Sequence, residues 1–394
     1  MNQPSPAIPF ELAGPRRVVF GPGTVRQVGA LAAGLGRRAL VVTGGNPSRA
    51  NVLLEHLRAA GVEAKVFAVP GEPTIELIRA AAAAAKAHSS DLIIGFGGGS
   101  ALDTAKAVAA LVTNGGDPLD YMESFGRRQP LMRSSLPVIA IPTTAGTGSE
   151  VTRNAVIGSP EHGAKASMRS LSMIPEIALV DPDLMRGVPP DVTAATGLDA
   201  LTQLIEPFTS IRANPLVDAL CRDGMPRAAR SLRRAWADGG DAAARSDMAL
   251  ASLLGGYALA NAALGIVHGF AGVIGGMFPA PHGAVCAALL PHAMAFNLAA
   301  LRARDPNGPG LVRYEEVARL LTGRADACAD DGVGWVGALV GDLGIPALST
   351  WGLTPAAIPG VVDRAASAGG TLANAVRLTP DEMTGLLRAA CRSV

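Results

Sequence analysis

A chain of 394 residues exceeds the size at which a single hydrophobic core usually stops growing, so two domains are expected. Hydrophobic residues make up 49% of it, aromatic ones only 4%, and 47 are glycine, which excludes a disordered chain and describes an α/β protein packed with small aliphatic side chains. Thirty-four basic residues against 33 acidic ones leave a net charge of +1, which gives no electrostatic reason to expect nucleic acid or an anionic membrane as partner.

The apolar runs at 80–85 and 284–290 are far shorter than the roughly 20 residues of a membrane span. No basic segment followed by an apolar one opens the chain, so the expected compartment is the cytoplasm. Cys221, Cys286, Cys328 and Cys391 lie far apart without a CxxC pair and read as reduced and structural.

Taken in order, residues 17–23 form a short β-rich run stopped by Gly and Pro, and residues 38–45 form a buried strand ending in Gly44-Gly45. A helix over 48–60, a strand over 62–69, a helix over 74–88 and a strand over 91–96 follow. That strand runs into Gly97-Gly-Gly-Ser100 and a further helix from Ala101. Residues 137–142 repeat the strand pattern and end in the polar loop 143–150, and residues 177–181 make the last strand. Strands alternating with helices predict a mostly parallel sheet. Beyond Pro189-Pro190 the chain becomes rich in Ala and Leu with little β-branched enrichment, which predicts an all-helical half. The expected domains are therefore 1–190 and 191–394, with a ligand cleft between them.

Three features carry chemistry. Gly97 to Ser100 follows a strand and opens a helix, a context in which small residues let backbone amides approach a pyrophosphate. It lacks the GxGxxG spacing, and a glycine triplet alone is also an ordinary turn. The loop 143–149 adds hydroxyls and two more glycines at the same sheet edge. The chain has only four lysines, Lys65, Lys86, Lys106 and Lys165, and the last two flank these loops, where an ammonium rather than a guanidinium suits a phosphate. Farther on, Asp199 and Gln203 stand at i and i+4, so a helix points both at one spot. His268 and His282 lie fourteen residues apart in an apolar, glycine-rich stretch. A carboxylate, an amide oxygen and two imidazoles can converge on a divalent metal. His56, His88 and His162 have no such context, and His292 after Leu-Leu-Pro reads as structural.

The motifs Phe20-Gly-Pro-Gly, Gly97-Gly-Gly-Ser-Ala-Leu-Asp103-Thr-Ala-Lys106, Ile141-Pro-Thr-Thr-Ala-Gly-Thr-Gly-Ser-Glu150, Asp181-Pro-Asp183, Gly197-Leu-Asp199-Ala-Leu-Thr, Pro281-His282-Gly283 and Leu290-Pro-His292 span nearly the whole chain. In order and spacing they resemble the iron-containing, or group III, alcohol dehydrogenases, which share a fold with glycerol dehydrogenase and dehydroquinate synthase. The resemblance implies a Rossmann-like parallel-sheet domain followed by an all-helical domain, with a nicotinamide cofactor in the cleft. It implies that Gly98, Gly99 and Ser100 hold the pyrophosphate, that Thr143, Thr144 and Thr147 line the adenosine side, and that Asn154 and Lys165 reach the ribose and phosphates. Asp199, His268 and His282 match three of the family's four metal ligands, and a homodimer is the family-like expectation.

Two positions depart from the pattern. Gln203 stands where the family has its fourth ligand, a histidine. It either contributes a carbonyl oxygen to Fe²⁺ or Zn²⁺ or orients Asp199. Gly272 stands where a further histidine beside the nicotinamide is usual, which leaves water or the cofactor ribose to carry the proton. Gly44 occupies the position of the aspartate found in NAD-selective relatives, so NADPH is expected to be accepted at least as well as NADH, its 2′-phosphate received by Asn46, Ser48 and Arg49. The function implied is an NAD(P)-dependent interconversion of an alcohol and an aldehyde or ketone, metal-assisted. The rivals are a metal-independent maleylacetate reductase, against which Asp199 argues, and a lyase of the dehydroquinate synthase type, which needs a basic pocket that the chain does not offer near either histidine.

Overall fold

The computed structural model describes residues 9–392. Its strands are β1 (Arg17–Phe20), β2 (Arg38–Thr43), β3 (Glu63–Ala68), β4 (Leu92–Gly97), β5 (Val138–Pro142), β6 (Asn154–Ser159), β7 (Ala164–Arg169) and β8 (Ile177–Val180). Six of them form one parallel sheet in the order β1-β8-β5-β4-β2-β3. Between the strands lie α1 (Val28–Ala33), α2 (Asn51–Ala59), α3 (Ile75–Ala87), α4 (Gly99–Asn114) and α5 (Pro118–Tyr121). Strand β2 shows why both sheet faces are covered. Its Ala39 and Val41 pack with Leu53 and Leu57 of α2, while Leu40 and Val42 pack with Ala81 of α3 and Ala105 of α4. Alternate side chains thus enter opposite cores, which is why the central strands read as continuous apolar runs.

From residue 190 the chain is helical: α6 (Pro190–Thr209), α7 (Pro215–Ala237), α8 (Ala242–Ala262), α9 (Ile266–Met277), α10 (His282–Arg304), α11 (Pro309–Thr322), α12 (Ala329–Asp342), α13 (Ile358–Ala365), α14 (Gly369–Ala373) and α15 (Pro380–Ala390). Among the described residues α10 is the single helix long and apolar enough to cross a membrane, with a mean hydropathy of 1.7, but 78% of that window is buried inside the protein. It is the core helix of this half.

One element departs from the sequence expectation. β6 and β7 form an antiparallel hairpin, turned through Gly163 in the left-handed region (φ +53). Its inward positions are Ala155, Ile157, Ala166 and Met168, which pack with Ile78 and Leu111 of α3 and α4. The period of two is there, but Ile157 is the one β-branched residue among the four inward positions, so the strand signal is weak.

The two halves meet through glycine. Gly148, in the loop after β5, adopts φ +60, and a Cβ on Gly256 of α8 would lie 2.6 Å from the Gly148 carbonyl oxygen, so the loop rests on the bare backbone of the helix. Behind it Lys106 is fully buried, its ammonium 3.0 Å from the Ser149 carbonyl, 2.9 Å from Thr152 Oγ1 and 3.1 Å from Asp103. Lys106 therefore pins the loop from within and does not face an open phosphate site. Gly256→Val should displace this loop, lowering stability by about 2 kcal/mol and raising the KM for the nicotinamide cofactor. A thermal melt and cofactor kinetics check it, and unchanged values would contradict the seam.

Glu150 is the buried acid of the same loop, 2% exposed. Burial pushes its carboxyl from the ordinary 4.5 up to about 7, and Lys106 offsets this only in part. The unfolded chain ionises this group first, so the stability that the neutral carboxyl allows at low pH is lost as the pH rises from 4.5 to about 7. Glu150→Gln should accordingly raise the melting temperature more at pH 8 than at pH 5, by up to about 3 kcal/mol in stability. An equal gain at both pH values would show that Glu150 is not held neutral.

Candidate metal and cofactor sites

Asp199, Gln203 and Glu206 follow one another at spacings of four and three along α6, which places them on one face. All are buried, at 1%, 2% and 6% exposure, and a buried carboxylate needs partners. Glu206 finds two on α9. One of its oxygens accepts from the Val267 backbone N–H at 2.7 Å, and the other meets His268 Nδ1 at 2.7 Å. The helix begins at Gly265, which has no side chain to cap it, so Glu206 supplies the anion from across the core, aided by Asn374 on the Ile266 N–H at 3.1 Å.

With Nδ1 committed to Glu206, His268 turns Nε2 toward Asp199, 3.2 Å away. A neutral ring would set its lone pair against the carboxylate, so this geometry calls for positive charge between them, a proton or a cation. His282, the first residue of α10, brings its own Nε2 to 3.9 Å from the same Asp199 oxygen. One turn later Cys286 places its sulfur 3.7 Å from His282 Nε2 and 3.8 Å from His268 Nε2. One ligand atom from each of Asp199, His268, His282 and Cys286 lies within 4.8 Å of the others.

The electrostatics follow. Burial pushes Asp199 up, but the His268 hydrogen bond, His282 and the Gln203 amide outweigh it, so its carboxyl lies below its ordinary value. Burial opposes a charged His268, yet Cys286, Asp199 and Glu206 together hold that imidazole well above the ordinary range. Cys286, more than any other neighbour, pushes His282 up to about 9. The cluster is a cavity for positive charge.

Two residues of this cluster escape the sequence reading. Glu206 carries no motif, though its i+7 position from Asp199 marks the same helix face. Cys286, read there as merely structural, stands at i+4 from His282, and that spacing was the available signal. Gln203 lies one helical turn after Asp199, and its Oε1 is buried without a hydrogen-bond partner among the described residues. His292 Nε2 is likewise buried and unpartnered, and burial lowers its pKa, in keeping with a structural role.

The cofactor candidates gather where the sheet order reverses. From β2 the chain moves outward to β3 on one side and through β4, β5 and β8 on the other, so a crevice opens between the C-terminal ends of β2 and β4, the expected ligand position in such sheets. A cavity of about 210 Å³ lies there, lined by Gly44, Asn46, Arg49, Gly98, Thr143 and Thr144 among others. Added methyl groups show how closely the backbone is drawn in: a Cβ on Gly99 would lie 2.8 Å from the Thr147 methyl, and one on Gly97 2.7 Å from Ala101. No side chain caps α4, and Gly99 and Ser100 stand in its first turn with amides free for an anion. Ser48 does not reach the cavity. Its hydroxyl is spent on Asn46 Oδ1 at 2.6 Å.

A second cavity of about 690 Å³ has Tyr121, Arg128, Lys165, His268, Gly272 and Arg364 in its wall, so it touches the metal-ligand cluster at His268. Lys165 arrives on the hairpin, which lies against α9 so closely that a Cβ on Gly276 would sit 2.9 Å from Ala164 Cα, and its ammonium pairs with Glu72. Asn154, at the start of β6, lines neither cavity. A Cβ on Gly272 would meet nothing within 4 Å, so the position opens directly into the cavity.

Comparison with known proteins identifies the family. The family model for iron-containing alcohol dehydrogenase matches residues 15–182, and the C-terminal model of the Fe-containing alcohol dehydrogenase family matches residues 193–391. The chain belongs to the iron-containing alcohol dehydrogenase family. It is 34% identical to the 1,3-propanediol dehydrogenase of Klebsiella pneumoniae over 97% of this chain and 98% of that one. Among solved structures it resembles a 1,3-propanediol oxidoreductase, with a TM-score of 0.90 and 33% identity over 97% of this chain and 100% of that one. It also resembles the sulfoacetaldehyde reductase of Bifidobacterium kashiwanohense in complex with NAD+, with a TM-score of 0.86 and 26% identity over 98% and 100%. This family member is an oxidoreductase that interconverts alcohols and carbonyl compounds with a nicotinamide cofactor, and neither the maleylacetate reductase nor the dehydroquinate synthase reading is favoured.

Removing Glu206 tests the support of the cluster. Glu206→Ala leaves His268 without its partner and α9 without its cap, and should cost about 2 kcal/mol of stability. It should also weaken divalent-metal binding by roughly 10- to 100-fold. Denaturant unfolding and metal titration measure the two effects, and metal affinity equal to the wild type would contradict the supporting role.

Proposed function

We propose that the protein reduces an aldehyde or ketone to an alcohol, and runs the reverse, with a divalent metal ion, iron or zinc, held by Asp199, His268 and His282. The observation that carries this reading is the convergence of three donors from three helices, with His268 among them lining a cavity of about 690 Å³. The donor set suits the ion. A carboxylate and two imidazole nitrogens, one of them fixed by Glu206, form a common site for Zn²⁺ or Fe²⁺. When bound, the ion supplies Lewis-acid polarisation of the carbonyl oxygen and stabilises the alkoxide in the reverse direction.

The chain's own groups do the rest. Gly98, Gly99 and Ser100 offer amides to the pyrophosphate, Thr143, Thr144 and Thr147 border it, and Lys165 faces the cavity beside α9. Asn154 is assigned to the ribose only through the family pattern. Because Gly272 presents no side chain, the proton travels by water or the cofactor ribose hydroxyl. Gly44 carries no acid to repel a 2′-phosphate, and Arg49 stands in the same cavity wall, so NADPH is read as a substrate at least as good as NADH. Strand β1 at the sheet edge, with Val18 exposed, supports a homodimer, since such edges pair readily. The four free cysteines accord with the cytoplasm, a reducing compartment.

Kinetics with a panel of small aldehydes, before and after chelation and on return of Zn²⁺ or Fe²⁺, test the reading. Chelation and His282→Ala should each abolish most of the turnover, and full turnover by metal-stripped protein would contradict it. In the same assay a preference for NADH above about tenfold, roughly 1.4 kcal/mol, would contradict the cofactor assignment.

A further inference from the structure

A fourth donor of the metal site is still to be assigned, because Gln203 stands where the family has a histidine. We infer that Cys286 supplies it, so that the ion is held by Asp199, His268, His282 and Cys286, and that this sulfur makes the site prefer zinc over iron. The inference rests on the metal reading proposed above and concerns which atoms complete it.

The distances carry it. In a tetrahedral zinc site, metal–nitrogen bonds of about 2.0 Å and a metal–sulfur bond of about 2.3 Å set nitrogen and sulfur about 3.5 Å apart. The sulfur of Cys286 lies 3.7 Å from one Nε2 and 3.8 Å from the other. The corresponding nitrogen–oxygen separation is about 3.3 Å, and the two observed are 3.2 Å and 3.9 Å. With Nδ1 of His268 given to Glu206, both Nε2 atoms face the sulfur across either a proton or a shared cation, and an ion on binding takes the place of those protons. Four donor atoms therefore lie within 4.8 Å of one another, and the two sulfur–nitrogen separations and one of the two nitrogen–oxygen separations are close to those that a shared cation imposes.

Local structure fixes the sulfur there. Cys286 is fully buried and follows His282 by one turn of α10, whose start at His282 sets both side chains on one face. Gln203 is buried beside Asp199 with Oε1 unpartnered, so the cluster has a polar lining beyond its four donors. A thiolate is the softest donor among them and shifts selectivity toward zinc and its spectroscopic substitute cobalt.

Cobalt titration of the metal-stripped full-length protein decides it. The wild type and Gln203→Ala should show a near-ultraviolet thiolate-to-cobalt charge-transfer band that grows to one equivalent. Cys286→Ser should bind cobalt roughly 100-fold more weakly, at least the cost of losing a supporting residue, and show no such band. Competition between Zn²⁺ and Fe²⁺ should favour zinc in the wild type and lose that preference in Cys286→Ser. Should the variant fold poorly in a thermal melt, the wild-type spectrum alone still decides. Cobalt bound to the wild type without the charge-transfer band, or lost from Gln203→Ala but retained by Cys286→Ser, would overturn the assignment and make Gln203 the donor. No cobalt or zinc bound at all would overturn the metal reading beneath it.

Discussion

The carboxylate of Glu206 is the point on which the site hangs. It is buried, and it is divided between the first turn of α9 and the ring of His268, so one ion both starts a helix and sets the tautomer of an imidazole. Without that arrangement His268 could rotate, and Asp199 would be a buried anion with no fixed partner. With it, the ring presents Nε2 to Asp199 and brings α6 and α9 into a fixed relation. The His282–Cys286 turn of α10 then closes the cluster from the third side. Coordination chemistry in this protein is thus a consequence of helix packing, and the packing is in turn fastened by the polar groups it buries.

Glycine sets the other half of the geometry. Gly97 and Gly99 draw the strand-end loops together, Gly148 and Gly256 let the loop after β5 rest on α8, and Gly276 lets the hairpin lie against α9. Each is a place where a methyl group would push two backbones apart. Together they let the loops at the C-terminal edge of the sheet and the hairpin rest directly on helices α8 and α9. Gly272 acts differently, since a side chain there would meet only open space. It widens the cavity and does not tighten a contact.

Much of this was legible in the amino-acid order. The buried strands announced a parallel sheet, because apolar runs without alternation are what two covered faces require. The loss of β-branched residues after residue 190 announced the helices. Asp199, His268 and His282 stood out as isolated polar groups in apolar surroundings, and the fold does bring them together. Glu206 and Cys286 did not stand out, because what they touch depends on how three helices pack, and a lone glutamate or cysteine at helical spacing is usually something blander. The β6–β7 hairpin was hidden because two of its four inward positions are alanine and just one, Ile157, is β-branched. Lys106, expected beside a phosphate, is instead enclosed by the loop it pins, and Ser48 is spent on its neighbour Asn46. In each of these cases local pattern gave the residue's position but not its partner.

The central claim is that one cleft holds both the ion and the nicotinamide cofactor, with the cofactor's pyrophosphate on the first turn of α4 and the ion among the donors of α6, α9 and α10. A crystal structure of the protein grown with Zn²⁺ and NADPH, with data collected at the zinc absorption edge, tests it most directly. The account predicts a single strong anomalous peak between Asp199, His268 and His282, pyrophosphate density against Gly98 to Ser100, and the nicotinamide ring turned toward that peak across the cavity beside Gly272. A zinc peak elsewhere, or a cofactor whose nicotinamide points away from the two histidines, would contradict it.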